Sequence, residues 1–156
     1  MKNITPCLWF DDKAEEAASF YVSIFKNSKI TNVSRYGDAG PRPKGTVMAV
    51  TFELDGDKFM ALNGGPLFTF SEAVSFVVKC ASQQEVDHFW DKLSAGGKPG
   101  RCGWLKDKYG LSWQIVPTAL EELMTDPDAT KSSRAMQALL KMDKLDIRGL
   151  RKAAGA

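Results

Sequence analysis

Histidine is almost absent from this chain, since of its 156 residues only His88 carries an imidazole. Zinc, iron and most acid–base sites draw on that side chain, so the count alone removes the common multi-histidine centres. An excess of one charge is missing too: 21 Lys and Arg stand against 19 Asp and Glu, a net charge of +2. That balance excludes the basic footprint of a nucleic-acid binder and leaves a small organic molecule or another protein as the expected partner. No apolar stretch approaches the ~20 residues of a membrane-spanning helix, and Met1-Lys2-Asn3-Ile4-Thr5-Pro6 lacks the apolar segment of a secretory signal. A cytoplasmic protein with no membrane partner is expected. Cysteine is scarce and odd in number, with Cys7, Cys80 and Cys102 in no C-x-x-C spacing. A disulfide framework and a zinc knuckle are therefore not indicated, and the three read as buried, reduced thiols. Neither G-x-G-x-x-G nor G-x-x-x-x-G-K-[ST] occurs, so dinucleotide and phosphate-loop chemistry have no support.

What is present is a globular composition, 44% hydrophobic and 26% charged, at a length that suits one domain over 1–156. Residues 4–10 read as a strand, with Pro6 at its start or on an edge. Asp11 and Asp12 offer N-caps for a helix over about 13–25, where Ala14, Ala17, Ala18, Tyr21, Ile24 and Phe25 recur at helical spacing. Further strands follow over 29–36, 46–54 and 57–63, the last two joined by Asp55-Gly56, a two-residue hairpin signal. Such a turn pairs Phe52 with Phe59 and Val50 with Ala61 on one face, and Glu53 with Lys58 and Thr51 with Met60 on the other. The first half, about 3–63, is thus βαβββ.

After Asn63-Gly64-Gly65-Pro66 the pattern returns over about 72–117. A strand from Ala73 to Cys80 precedes a helix over about 83–95 with Val86, Phe89, Trp90 and Leu93 in one stripe. Strands 102–106 and 112–116 flank the turn Asp107-Lys108-Tyr109-Gly110, and the second strand of this module is shortened or lost around 98–101. A shift of 69 residues superposes Phe20-Tyr21 on Phe89-Trp90 and Ile24 on Leu93. Residues 118–156 form a helical tail: Thr118 and Glu121 suggest a capping box, and Asp126-Pro127 starts a helix carrying Met136, Leu139 and Leu140. The tail docks either on its own domain or on a second subunit.

Tandem βαβββ modules with this helix phasing resemble the vicinal-oxygen-chelate superfamily of glyoxalases, bleomycin-resistance proteins and extradiol dioxygenases. Within it the sequence is similar to the PhnB-like branch, often labelled demethylubiquinone methyltransferase. The residues that carry the resemblance are Ile4 to Phe10, Ala14-Glu15-Glu16-Ala17 with Phe20-Tyr21, Ala73 to Val78, and the run Cys102 to Pro117. It spans about 3–150. The implied fold is α+β, with tandem βαβββ modules forming a curved mixed sheet around a cleft, plus the helical tail. A homodimer is also implied.

Metal-using members place a His on the first strand and a Glu on the last strand of each module. Counted from the helices and turn glycines, those positions fall here on Pro6, Ser75, Met60 and Gln114. Four weak or absent ligands cannot offset the dehydration of a hard cation, so no metal and no cofactor are expected. His88 lies about 200° around its helix from Val86 and is expected in solvent. The methyltransferase label also lacks its usual sheet, because Asp11-Asp12-Lys13 follows the first strand where a Gly-rich turn would stand.

Gln114 offers a neutral amide able to donate and accept toward an organic ligand, and Ser75, Thr51 and Ser112 lie in phase with it. Trp9, Trp104 and Trp113 line or back the same cleft, with core packing as the alternative for each. Cys7 and Cys102 lack a base that would make them nucleophiles. Glu53 and Asp55 are explained by the Lys58 pairing and the hairpin turn. The reading is metal-independent binding of a small, largely uncharged molecule through Gln114, Ser75 and Thr51, with Met60, Trp104 and Pro6 as apolar walls. A metal-dependent lyase, isomerase or dioxygenase of the same superfamily is the alternative, and a dimeric interaction module without ligand is the third.

Overall fold

The computed structural model describes residues 3–155; Met1, Lys2 and Ala156, the ends of the expected domain, lie outside them. The chain divides into two compact units, Met1–Phe70 and Ser71–Ala156. The first holds β1 (Cys7–Phe10), α1 (Ala14–Ile24), β2 (Lys29–Arg35), β3 (Val47–Leu54) and β4 (Asp57–Asn63). They form a mixed sheet in the order β1-β4-β3-β2, with β1 parallel to β4 and the other pairs antiparallel. Asp55 and Gly56 both take positive φ, 48° and 81°, which is the turn whose twist matches that of the flanking strands. The β3–β4 register accordingly pairs Phe52 with Phe59, Val50 with Ala61, Glu53 with Lys58 and Thr51 with Met60, as the two-residue turn requires.

Helix α1 buries Ala14, Ala17, Ala18, Tyr21 and Ile24. Its alanines present little bulk on that face, and the Tyr21 ring stacks on Phe52 at 6.3 Å. Its start differs from expectation. Neither Asp11 nor Asp12 caps it; Lys13 sits at the N-cap without a side-chain bond, and the Ala14 amide donates to Asn63 Oδ1 at 2.8 Å. Asn63 reaches that amide because the β1–β4 pairing sets it beside Phe10, a partnership across 49 residues that local spacing does not reveal.

The second unit repeats the arrangement with β5 (Ser75–Cys80), α2 (Gln83–Ser94), β6 (Lys98–Pro99), β7 (Trp104–Lys106) and β8 (Ser112–Pro117), in the order β5-β8-β7-β6. Strand β6 has two residues, the remnant of the shortened strand read from the sequence. Ser82 caps α2 by accepting from the Glu85 amide, and Glu85 returns the bond by accepting from Ala81 N at 2.7 Å. The stripe Val86, Trp90 and Leu93 is buried, Phe89 is half-buried, and His88 is exposed as expected.

The tail folds into α3 (Thr118–Met124), α4 (Ala129–Leu139) and α5 (Ile147–Ala154) and docks on its own unit. Leu120, Leu123, Ala135, Leu145, Leu150 and Ala154 form its core. Gln83 ties this core to α2, donating to Leu145 O at 3.0 Å and accepting from Ile147 N at 2.9 Å. Lys144 lies 3.0 Å from Asp87 and holds that carboxyl below the ordinary carboxylate range through their hydrogen bond. The Thr118–Glu121 capping box does not form: Pro117 occupies the cap position, and Thr118 is already helical. The next helix begins at Ala129 under Asp128, whose side chain accepts from Thr130 N, while Met136 and Leu140 stay exposed.

All three cysteines are free, but only Cys80 is buried; Cys102 is half-buried and Cys7 exposed, which corrects the expectation of three buried thiols. Strand β1 alternates, so Leu8 and Phe10 enter the core and Cys7 turns to the opposite side. Burial, with Glu85 nearby, pushes the Cys80 thiol up to about 12, whereas Cys7 is raised only by partial burial. An aromatic disulfide reagent is therefore expected to modify Cys7 in the folded protein and Cys80 only on unfolding. Equal labelling rates for the two, read by peptide mass mapping, would contradict this placement.

Candidate functional site

Each sheet has one face packed on its helix and one face free of it, and strand alternation decides which residues stand on the second. In the first unit the helix-free face carries Cys7 and Trp9 of β1, Met60 and Leu62 of β4, and Ala49, Thr51 and Glu53 of β3. Pairing sets Cys7, Met60 and Thr51 side by side across three strands. In the second unit the face away from α2 carries Ser75, Val77 and Lys79 of β5, Ser112, Gln114 and Val116 of β8, and Trp104 and Lys106 of β7, with Val116 against the tail's core and Lys79 paired to Glu121 of α3 at one end. There Val77, Gln114 and Trp104 form the corresponding row. Met60 and Gln114 thus occupy matching central positions, each four residues after a turn glycine, Gly56 or Gly110.

Pro6 does not join this set. Val77 lies opposite Gln114 and Cys7 lies opposite Met60, so the strands of the two units are related by a shift of 70, while the helices are related by 69. The difference is one residue in the strand-to-helix connection, 11–13 in the first unit against 81–82 in the second. Carrying a position from the helix therefore slips the first strand by one, and a slip of one changes the face. Thr5, not Pro6, matches Ser75. Pro6 is in phase with Leu8 and Phe10, and its carbonyl accepts from the Met60 amide at 2.9 Å.

The second unit's face has the more chemically useful geometry. Gln114 Nε2 donates to Ser75 Oγ at 2.9 Å, joining two residues 39 apart in the chain. The bond leaves the Gln114 carbonyl oxygen and the Ser75 hydroxyl hydrogen for a ligand. Ser112, beside Ser75 in the ladder, is 1% exposed, and its hydroxyl has no hydrogen-bond partner. An orphaned buried hydroxyl is costly, and this one, with no accessible surface, stands beneath the face rather than on it. Val77, 52% exposed, and half-buried Trp104 flank Gln114 with apolar surface. Lys106 stands at the end of this face in an ion pair with Glu72, whose carboxyl is held below its usual range by that hydrogen bond.

Other residues singled out in the sequence are structural. Trp113 turns to the helix side, 2% exposed, and its indole N–H donates to Asp107 Oδ2 at 2.9 Å. Trp9 stands on the first unit's helix-free face, but its indole lies flat on Gly64 and donates to Gly65 O at 2.9 Å, with Phe68 edge-on at 5.0 Å. Glu53 pairs with Lys58 in the ladder and lies 3.9 Å from Lys29. Lys106 with Glu72 went unnoticed in the sequence, although Lys106 is in phase with Trp104. Among the described residues, no group of three or more His, Cys, Asp or Glu side chains is placed to hold a metal ion. No helix among them is long and apolar enough to cross a membrane.

Comparison with known proteins agrees with this architecture. The family model described as 3-demethylubiquinone-9 3-methyltransferase matches residues 2–116. A PhnB protein from Bacillus cereus, described by the same methyltransferase name, is 40% identical over 74% of this chain and 99% of its own, with a TM-score of 0.69. Protein PA1353 from Pseudomonas aeruginosa shares 20% identity over 75% of this chain and 98% of its own, TM-score 0.63. A fosfomycin resistance protein, FosX, from Listeria monocytogenes, solved with Mn(II) and sulfate, shares 16% over 80% of this chain and 97% of its own, TM-score 0.54. The last two likenesses concern the fold alone. No curated protein matches. The paired βαβββ sheets, the family match across most of the chain and the Bacillus relative agree: this protein belongs to the 3-demethylubiquinone-9 3-methyltransferase family, the PhnB-like branch of the glyoxalase/bleomycin-resistance superfamily.

Proposed function

We propose that the helix-free face of the second unit's sheet binds a small, largely uncharged organic molecule without a metal ion, in a protein that forms homodimers. The observation that carries this reading is the Gln114–Ser75 hydrogen bond between the apolar surfaces of Val77 and Trp104. A preformed amide–hydroxyl pair between apolar walls is how ligand sites combine a few oriented polar groups with a mostly apolar lining. Trp104 and Val77 supply the walls, and Thr51 and Met60 offer a similar lining on the first sheet. Methyl transfer from a nucleotide-like donor gains no support, because the connection after β1 is Asp11-Asp12-Lys13 rather than a glycine-rich turn.

The Mn(II) in FosX makes a metal-dependent enzyme the reading to test against. Native mass spectrometry of protein purified without added metal is expected to show a dimer, no stoichiometric ion and a carried-over organic mass. Gln114→Leu is expected to weaken retention of that molecule by about tenfold, the worth of one buried hydrogen bond left unmade. A tightly held divalent ion at one per chain would overturn metal independence. Unchanged retention in Gln114→Leu would remove the site.

A further inference from the structure

Just past the ends of β5 and β8, a groove of about 700 Å³ that Ser75 and Gln114 do not line opens between the start of α2, the start of α3 and α5. Ala81, Ala119 and Ile147 contribute apolar lining, and Arg148, Arg151 and Lys152 make the rest of it cationic. Arg148, Arg151 and Lys152 stand at i, i+3 and i+4 of α5, so one helical face presents all three to the groove. None of them is held in an ion pair among the described residues. Like charges at that spacing repel, an effect that the carbonyl end of α5 offsets only in part, for Arg151 and Lys152 in its last turn.

Two carboxylates also line the groove, and they differ. Asp146 is committed to its own helix, accepting from Arg148 N at 3.2 Å and Gly149 N at 3.0 Å. Glu122 is exposed and has no such commitment. Three cations against two carboxylates leave a net charge of +1 in a volume suited to a small metabolite. We propose that this groove binds a phosphorylated small molecule, its phosphate held by Arg148, Arg151 and Lys152. Guanidinium forks match phosphate oxygens in pairs, and a phosphate monoester carries close to two negative charges, which suits two arginines and a lysine. The apolar lining at Ala81, Ala119 and Ile147 would face a short organic group attached to the phosphate.

Titration with inorganic pyrophosphate, followed by calorimetry at low salt, tests this directly. Saturable one-to-one binding is expected, weakened by about tenfold in Arg151→Gln, which removes one charged hydrogen-bond donor. Glu122→Gln is expected to act in the opposite direction and tighten binding by removing the uncommitted carboxylate. Circular dichroism of both variants confirms that they fold. Absence of saturation, identical binding in Arg151→Gln, or citrate binding as tightly as pyrophosphate would overturn the proposal. Preference for a single-stranded oligonucleotide over pyrophosphate would do the same.

Discussion

Asp107→Ala is expected to lower the unfolding free energy by about 4 kcal/mol, because it strips partners from several buried donors at once. Asp107 is 3% exposed in the turn between β7 and β8. Its Oδ1 accepts from Tyr109 N at 2.8 Å and Leu111 N at 3.1 Å, and its Oδ2 accepts from the Trp113 indole at 2.9 Å. Each donor left unsatisfied costs about 1–3 kcal/mol, and the indole has no route to water without leaving the core. In a chain of this size the loss corresponds to roughly 10 °C in Tm. Asp107→Asn should fall between the two, since its amide keeps one acceptor but meets the indole N–H with a second donor. Thermal and urea unfolding measure all three proteins. An Asp107→Ala variant within about 1 kcal/mol of the parent would show that the network contributes only an ordinary single hydrogen bond.

Leu145→Ala is the second large effect, about 3 kcal/mol by the usual cost of emptying a buried leucine site. Leu145 is fully buried in the tail's core with Leu120, Leu123 and Leu150, and a Cβ placed at Gly103 would lie 3.1 Å from its Cδ1. Gly103, at φ 83° and with its amide donating to Asp143 O at 2.8 Å, is where the tail meets the β7–β8 hairpin. Shortening Leu145 opens a void where neither a backbone nor a fixed helix can collapse. Because the tail docks on its own unit, the loss should not vary with protein concentration. Dilution across two orders of magnitude with an unchanged Leu145→Ala difference supports that docking; a concentration-dependent difference would assign the tail to a neighbouring copy.

Much of the architecture was legible because it rests on short-range physics. Asp55-Gly56 adopts the two positive φ values that a two-residue hairpin needs, and one turn then sets the register of every β3–β4 pair. The Val86, Trp90 and Leu93 stripe marks a helix with one buried face, and the same periodicity places His88 in solvent. The site was less legible than the fold. Gln114 and Ser75 were both found on one face, but their bond to each other depends on the parallel β5–β8 register, which no hairpin turn specifies. Pro6 was displaced by a single residue because the two strand-to-helix connections differ in length, and the helices were the stronger landmark.

Helix starts show the same division. Ser82 and Glu85 cap α2 through two bonds within the five residues 81–85, whereas α1 takes its cap from Asn63 and ignores the nearer Asp11 and Asp12. The groove beside α5 was also illegible, since its walls come from segments around 81, 118 and 148 that only the docked tail gathers. By itself the sequence determined the elements, the tandem βαβββ order and the near-absence of histidine, because composition, periodicity and turn chemistry act over a few residues. The tertiary structure alone decided where the tail rests, which hydroxyl is orphaned and which side chains meet, because those outcomes depend on register and packing between segments far apart in the chain.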